Sequence, residues 1–107
     1  MSKIPRLTER ELLDLRWRGD DPFAVYIYTP WCGTCKLGER MLTVVLALEP
    51  GAAVYKSDIN YLPAITREWK IESVPCLVFI ENRRVKEKLY RMNSVDVLLA
   101  HVRDRLL

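Results

Sequence analysis

Apolar positions along this chain fall into two kinds of pattern. Phe23-Ala24-Val25-Tyr26-Ile27-Tyr28 and Cys76-Leu77-Val78-Phe79-Ile80 are nearly unbroken apolar runs, as in strands covered on both faces. Elsewhere apolar residues recur at helical spacing. Leu12, Leu13, Leu15 and Trp17 give one apolar side to a helix predicted from about Glu9 to Arg18, opened by the capping-box sequence Thr8-Glu9-Arg10-Glu11 and stopped by Gly19. Asp20-Asp21-Pro22 is a turn. Gly33 to about Leu48 is again helical and ends at Glu49-Pro50-Gly51. Ala52 to Lys56 reads as a second buried strand, and Tyr61 to Trp69 as a helix that tolerates Pro63 in its first turn.

Ser73-Val74-Pro75 breaks the pattern before the third apolar run, and Glu81-Asn82-Arg83 is of hairpin length, so a fourth strand from Arg84 to Tyr90 should pair with the third. Strict alternation there sets Arg84, Lys86 and Lys88 on one face and Glu87 among Val85 and Leu89 on the other, as at a sheet edge. Asn93 or Ser94 caps a last amphipathic helix to about Leu106, with Val95, Leu98, Leu99, Val102 and Leu106 on one side. The order α-β-α-β-α-β-β-α predicts an α/β fold with a mixed four-stranded sheet flanked by helices on both faces.

Composition narrows the function classes. The 107 residues fit one domain, 1–107, with no repeat or linker. A net charge of +3, from 17 basic and 14 acidic residues spread along the chain, gives no concentrated field to recruit nucleic acid or a membrane surface. Met1-Ser2-Lys3-Ile4-Pro5-Arg6 lacks the apolar core of a signal peptide, and the longest apolar run, Met41 to Leu48, is too short to span a bilayer. A cytoplasmic monomer is expected.

The candidate chemistry lies in Trp31-Cys32-Gly33-Thr34-Cys35-Lys36, where two thiols stand one helical turn apart at the junction of a strand and a helix. A thiolate is the nucleophile in disulfide exchange, and the partial positive charge of a helix start stabilises it. Two other readings use the same residues. Cys32, Cys35 and Cys76 are potential thiolate ligands for zinc or an iron–sulfur cluster, but a single Cys-x-x-Cys needs His101 or a second chain to close a four-ligand site. The motif also suits an adaptor with little turnover.

The element order and three motifs together resemble the thioredoxin family over nearly the whole chain. Trp31-Cys32-Gly33-Thr34-Cys35-Lys36 is similar to the family's Trp-Cys-Gly-Pro-Cys-Lys active site. Val74-Pro75 stands before a strand where the family has its cis-proline loop, and Val54-Tyr55-Lys56-Ser57-Asp58-Ile59 resembles the intervening strand with its buried lysine. The resemblance implies the thioredoxin fold, with room for a short fifth strand at the N-terminus. It implies Cys32 as the attacking thiol and Cys35 as the resolving thiol of a redox-active disulfide, with Lys56 nearby and Trp31, Gly33, Thr34, Val74, Pro75 and Arg91 around the substrate. Protein or low-molecular-weight disulfides would be the substrates, a reductase or small thiol the electron source, and neither a bound cofactor nor a metal would be needed.

Several residues depart from the family pattern. Thr34 replaces proline, as a neutral loop substitution or as a hydroxyl placed to hydrogen-bond a sulfur. Thioredoxins carry a buried aspartate six residues before the first cysteine; here that position is Tyr26, and a phenol is a poor base at neutral pH. Glu39 shares a helical stripe with Cys35, Leu42 and Leu46, which leaves it either paired with Lys36 at the surface or beside the buried sulfur as the group that shuttles the Cys35 proton. Cys76, where threonine is usual, is a small buried side chain or a third redox thiol. Arg91 and Met92 replace a glycine facing the groove, making it bulkier and more positive. Trp17 and Trp69 are expected to pack in or near the core, and His101 to be solvated on the last helix.

Overall fold

The computed structural model describes residues 4–19 and 21–107. Asp20, in the turn expected over Asp20 to Pro22, and Met1 to Lys3 of the opening stretch lie outside the described residues.

The capping box at Thr8 forms in both directions: the Glu11 amide donates to the Thr8 hydroxyl at 3.1 Å and the Thr8 amide to the Glu11 carboxylate at 2.9 Å. Helix α1 (Glu9–Arg18) then runs to Gly19, whose φ of 63° is the left-handed conformation that closes many helices. Strand β1 (Phe23–Tyr28), helix α2 (Gly33–Leu48), strand β2 (Val54–Asp58), helix α3 (Pro63–Glu68), strands β3 (Cys76–Glu81) and β4 (Arg84–Leu89), and helix α4 (Val95–Leu106) follow. The sheet order is β2-β1-β3-β4, parallel between β1 and β2 and antiparallel elsewhere.

Alternation along β1 divides the core. Ala24 and Tyr26 face α2 and α4 with Leu42, Val45, Leu98 and Val102, whereas Phe23, Val25 and Ile27 face α1 and α3 with Leu12, Ile65 and Trp69. Helices therefore cover both faces, and the apolar runs mark the two central strands. The fifth, N-terminal strand shrinks to one parallel bridge, Arg6 to Lys56, with the Leu7 and Lys56 amides donating across it.

The structure differs from the sequence-based boundaries at identifiable causes. Strand β2 starts two residues later than expected, because the Ala52 amide is engaged in a turn with the Glu49 carbonyl, and continues to Asp58, which pairs with Tyr28 and caps a short 3₁₀ turn (Ile59–Tyr61). That turn occupies the first residue assigned to α3, so the helix begins at Pro63, as proline's missing amide favours.

Strand β4 is the sheet edge, but a bulge opposite Phe79/Ile80 breaks its alternation. Lys88 thereby pairs with Val78 and joins the face of Val85, and its ammonium donates to the Trp69 and Lys70 carbonyls. Glu87 pairs with Phe79 and turns toward α4. His101 is accordingly half-buried rather than solvated: its ring stacks on Phe79, and its Nδ1 lies 3.3 Å from Glu87, which Arg105 also reaches. Trp69 is buried as expected. Trp17 is not: it is 73% exposed, about 140° round the helix from Leu12, with the Arg83 guanidinium 5.1 Å from its ring centre.

Candidate active site

Strand β1 delivers the chain through Thr29 and Pro30 to Cys32, which caps α2. Its extended backbone lets the sulfur accept from the Cys35 amide at 3.1 Å, as a serine or aspartate oxygen does at an ordinary N-cap. The Thr34 hydroxyl lies 3.2 Å from the same sulfur, so the substitution within the motif adds a direct contact. All three cysteines are free thiols. Cys32 is half-buried, beside Trp31, which is 89% exposed, while Cys35 is buried.

This arrangement separates the two thiols electrostatically. Burial works against charge on Cys32, but donation from the Cys35 thiol, the Thr34 hydroxyl and the backbone amides of Cys35 and Thr34 outweighs it and holds Cys32 below the usual thiol value. Burial, reinforced by the hydrogen bond to Cys32, pushes Cys35 up to about 12. Cys32 is therefore the more readily ionised of the two, while Cys35 is held as a thiol. Thr34→Val is expected to raise the pH midpoint for alkylation of Cys32, measured with iodoacetamide across a pH series, because it removes a donor to the thiolate.

Below the pair, Tyr26 is fully buried and its hydroxyl donates to the Cys35 carbonyl at 2.7 Å. Burial drives the ionisation of this phenol far upward, so it is a fixed donor and not a base. Glu39 turns away from Lys36: its carboxylate accepts from the Lys56 ammonium at 2.9 Å, with the two side chains only 21% and 19% exposed. Lys56 also lies 5.8 Å from the Tyr28 ring centre.

The Val74–Pro75 peptide is cis. Pro75 joins Thr34, Leu37, Met41, Arg91 and Met92 around a groove of about 270 Å³ beside the motif. Arg91 is exposed there and forms no ion pair among the described residues, while Met92 is buried and forms the groove's floor. Gly33 is exposed at the start of α2, and Val74 packs against the core on the α1 and α3 side. The groove thus unites Thr34, Pro75 and Arg91 and does not include Trp31, Gly33 or Val74.

Cys76 is fully buried at the start of β3, and burial pushes its thiol up to about 11 against the opposing influence of the Tyr90 hydroxyl and Lys88. Among the described residues no group of three or more His, Cys, Asp or Glu side chains is assembled to hold a metal ion. Gly38 is the site residue that sequence reasoning passed over: a Cβ there would stand 2.4 Å from the Tyr26 hydroxyl. An isolated glycine inside a helical pattern is its sequence signal.

Three comparisons bear on this geometry. The family model described as Thioredoxin matches residues 9–104. The thioredoxin-like protein YusE of Bacillus subtilis is 38% identical over 102 residues, which cover 95% of this chain and 93% of that protein. The mitochondrial thioredoxin-3 of Saccharomyces cerevisiae is 27% identical over 94 residues, covering 87% of this chain and 71% of its own. The crystal structure of that yeast protein in its oxidised form superimposes with a TM-score of 0.80 at 25% identity, over 94% of each chain.

Proposed function

This chain belongs to the thioredoxin family and is a thiol–disulfide oxidoreductase, and on that premise we propose that it reduces protein or low-molecular-weight disulfides with Cys32 attacking and Cys35 resolving. The observation that carries this assignment is the unequal setting of the two thiols at one helix start: the half-buried Cys32 sulfur accepts from the Cys35 amide at 3.1 Å and lies 3.2 Å from the Thr34 hydroxyl, whereas Cys35 is buried, which moves the first thiol below its ordinary value and the second above it. The Cys32 thiolate attacks one sulfur of the substrate disulfide and expels the other as a thiolate. Cys35 then loses its proton and attacks Cys32. The Cys32–Cys35 bond forms, the mixed disulfide breaks, and the second substrate sulfur leaves reduced.

Glu39 takes the Cys35 proton in this scheme, and the Lys56 ammonium keeps its carboxylate in place. Glu39 stands on the helix that carries Cys35 and pairs with Lys56 of β2 in a partly buried setting, which supports the role. Thr34, Pro75 and Arg91 meet the substrate in the groove, and Trp31, Gly33 and Val74 meet it outside the groove, along the motif and the cis-proline loop. The oxidised pair is returned to dithiol by a flavoprotein reductase or a small thiol. We assign the protein to the cytoplasm as a monomer, a setting that suits a pair that cycles; no helix among the described residues is long and apolar enough to cross a membrane.

The test is reduction of insulin disulfides with dithiothreitol as electron source, alongside reduction of hydroxyethyl disulfide. Catalysis of both is expected, and absence of both would leave only an adaptor. Glu39→Gln is expected to slow turnover roughly a hundredfold and to change its pH profile. A profile identical to that of the wild type would remove Glu39 from the proton path.

A further inference from the structure

Where the family resemblance leads one to expect a carboxylate, β1 presents a neutral phenol tied to the backbone of the resolving residue. Tyr26 has no exposed surface, and its hydroxyl reaches the Cys35 carbonyl at 2.7 Å. This bond crosses from the central strand to the first turn of α2, so it fixes the peptide that carries the Cys35 side chain relative to the sheet. Space for it is made by an unusual choice within the helix. A Cβ on Gly38 would stand 2.4 Å from the Tyr26 hydroxyl and 2.9 Å from Met92 Cγ, and both neighbours are themselves buried. Glycine weakens a helix interior, so its use at this point accords with the ring's need for room.

We propose that Tyr26 is a positioning residue for the resolving step: through the Cys35 carbonyl it holds the first turn of α2 where the Cys35 sulfur meets Cys32, and Gly38 is bare so that the phenol can reach it. This rests on the assignment of Cys35 as the resolving thiol. In that step the Cys35 thiolate attacks Cys32 Sγ, the bond from Cys32 to the departing sulfur breaks, and its electron pair leaves on that sulfur. In-line displacement depends steeply on placement, and a shift of about 1 Å costs on the order of a hundredfold in rate. A phenylalanine would fill almost the same volume but would release the carbonyl, so the hydroxyl has an effect separable from packing.

The experiment mixes reduced protein with excess Ellman's disulfide in a stopped-flow instrument. Attack by Cys32 releases the first thionitrobenzoate in a step that depends on reagent concentration; resolution by Cys35 releases the second in a step that does not. Tyr26→Phe is expected to slow the second step about tenfold while leaving the first step and its pH profile unchanged. Gly38→Ala, which displaces the phenol from the other side, is expected to slow the same step, and the double variant to resolve faster than Gly38→Ala alone. Second-step rates equal to wild type in whichever variants fold, even with a lowered melting temperature, would mean that the phenol only packs and would overturn the proposal. A wild type lacking the concentration-independent step would overturn the assignment of Cys35 and the proposal with it.

Discussion

Replacing Cys35 with serine is expected to lower disulfide-reducing turnover by about a thousandfold or more while leaving Cys32 able to attack. The two consequences separate because the proposed scheme gives the thiols different tasks. Cys32 keeps most of its stabilising contacts in this variant: the amide of residue 35 is unchanged, and the Thr34 hydroxyl remains 3.2 Å from the sulfur. A serine hydroxyl, however, is no nucleophile at neutral pH, so the mixed disulfide persists. Incubation of Cys35→Ser with a cell extract, followed by non-reducing electrophoresis and mass spectrometry, should show partners linked through Cys32. Cys32→Ser should trap none. Turnover near the wild-type level in Cys35→Ser would dismiss the two-thiol scheme, and the trapped proteins would identify the substrates.

The largest effect on stability is expected at Leu42. It projects from α2 into the layer between the sheet and α4 and has no exposed surface, packing in one cluster with Tyr26, Leu77, Leu98 and Val102. Leu42→Ala removes buried methyl groups and leaves a cavity that rigid neighbours cannot fill, at a cost of about 3 kcal/mol. For a chain of this size that is a fall in melting temperature of roughly 12 °C. Val44 lies two residues further along the same helix but is 48% exposed, and Val44→Ala should cost less than about 0.5 kcal/mol. Thermal or urea unfolding of the two variants makes the comparison. Equal losses would mean that α2 is not anchored through the Leu42 stripe.

The sequence conveys the architecture well and the local corrections poorly, for physical reasons. Runs such as Phe23 to Tyr28 stand out because a strand buried on both faces has no polar side, and the capping box at Thr8 is legible because both of its bonds are local. The bulge in β4 is not local. Nothing in Arg84 to Leu89 reveals that the partner strand shifts register, and that shift alone decides whether Lys88 or Glu87 faces α4. The half-buried setting of His101 is illegible in the sequence for the same reason, since its neighbour Glu87 comes from β4. At the site, the spacing of Cys32 and Cys35 and the helix start account for the difference between the thiols. The partnership of Glu39 with Lys56 rather than Lys36 depends on packing α2 beside β2, 17 residues later in the chain. Gly38 likewise acquires meaning only when Tyr26 is seen beneath it.

The burial of Cys76 has a consequence for the protein as a population of molecules. An odd cysteine commonly leaves an oxidised chain with a spare sulfur through which copies become linked to one another. Here the spare sulfur has no exposed surface and is held as a thiol by its burial. Once Cys32 and Cys35 have joined, the folded molecule offers its neighbours no accessible thiol, so each oxidation event is confined to a single chain and oxidised molecules can accumulate without cross-linking.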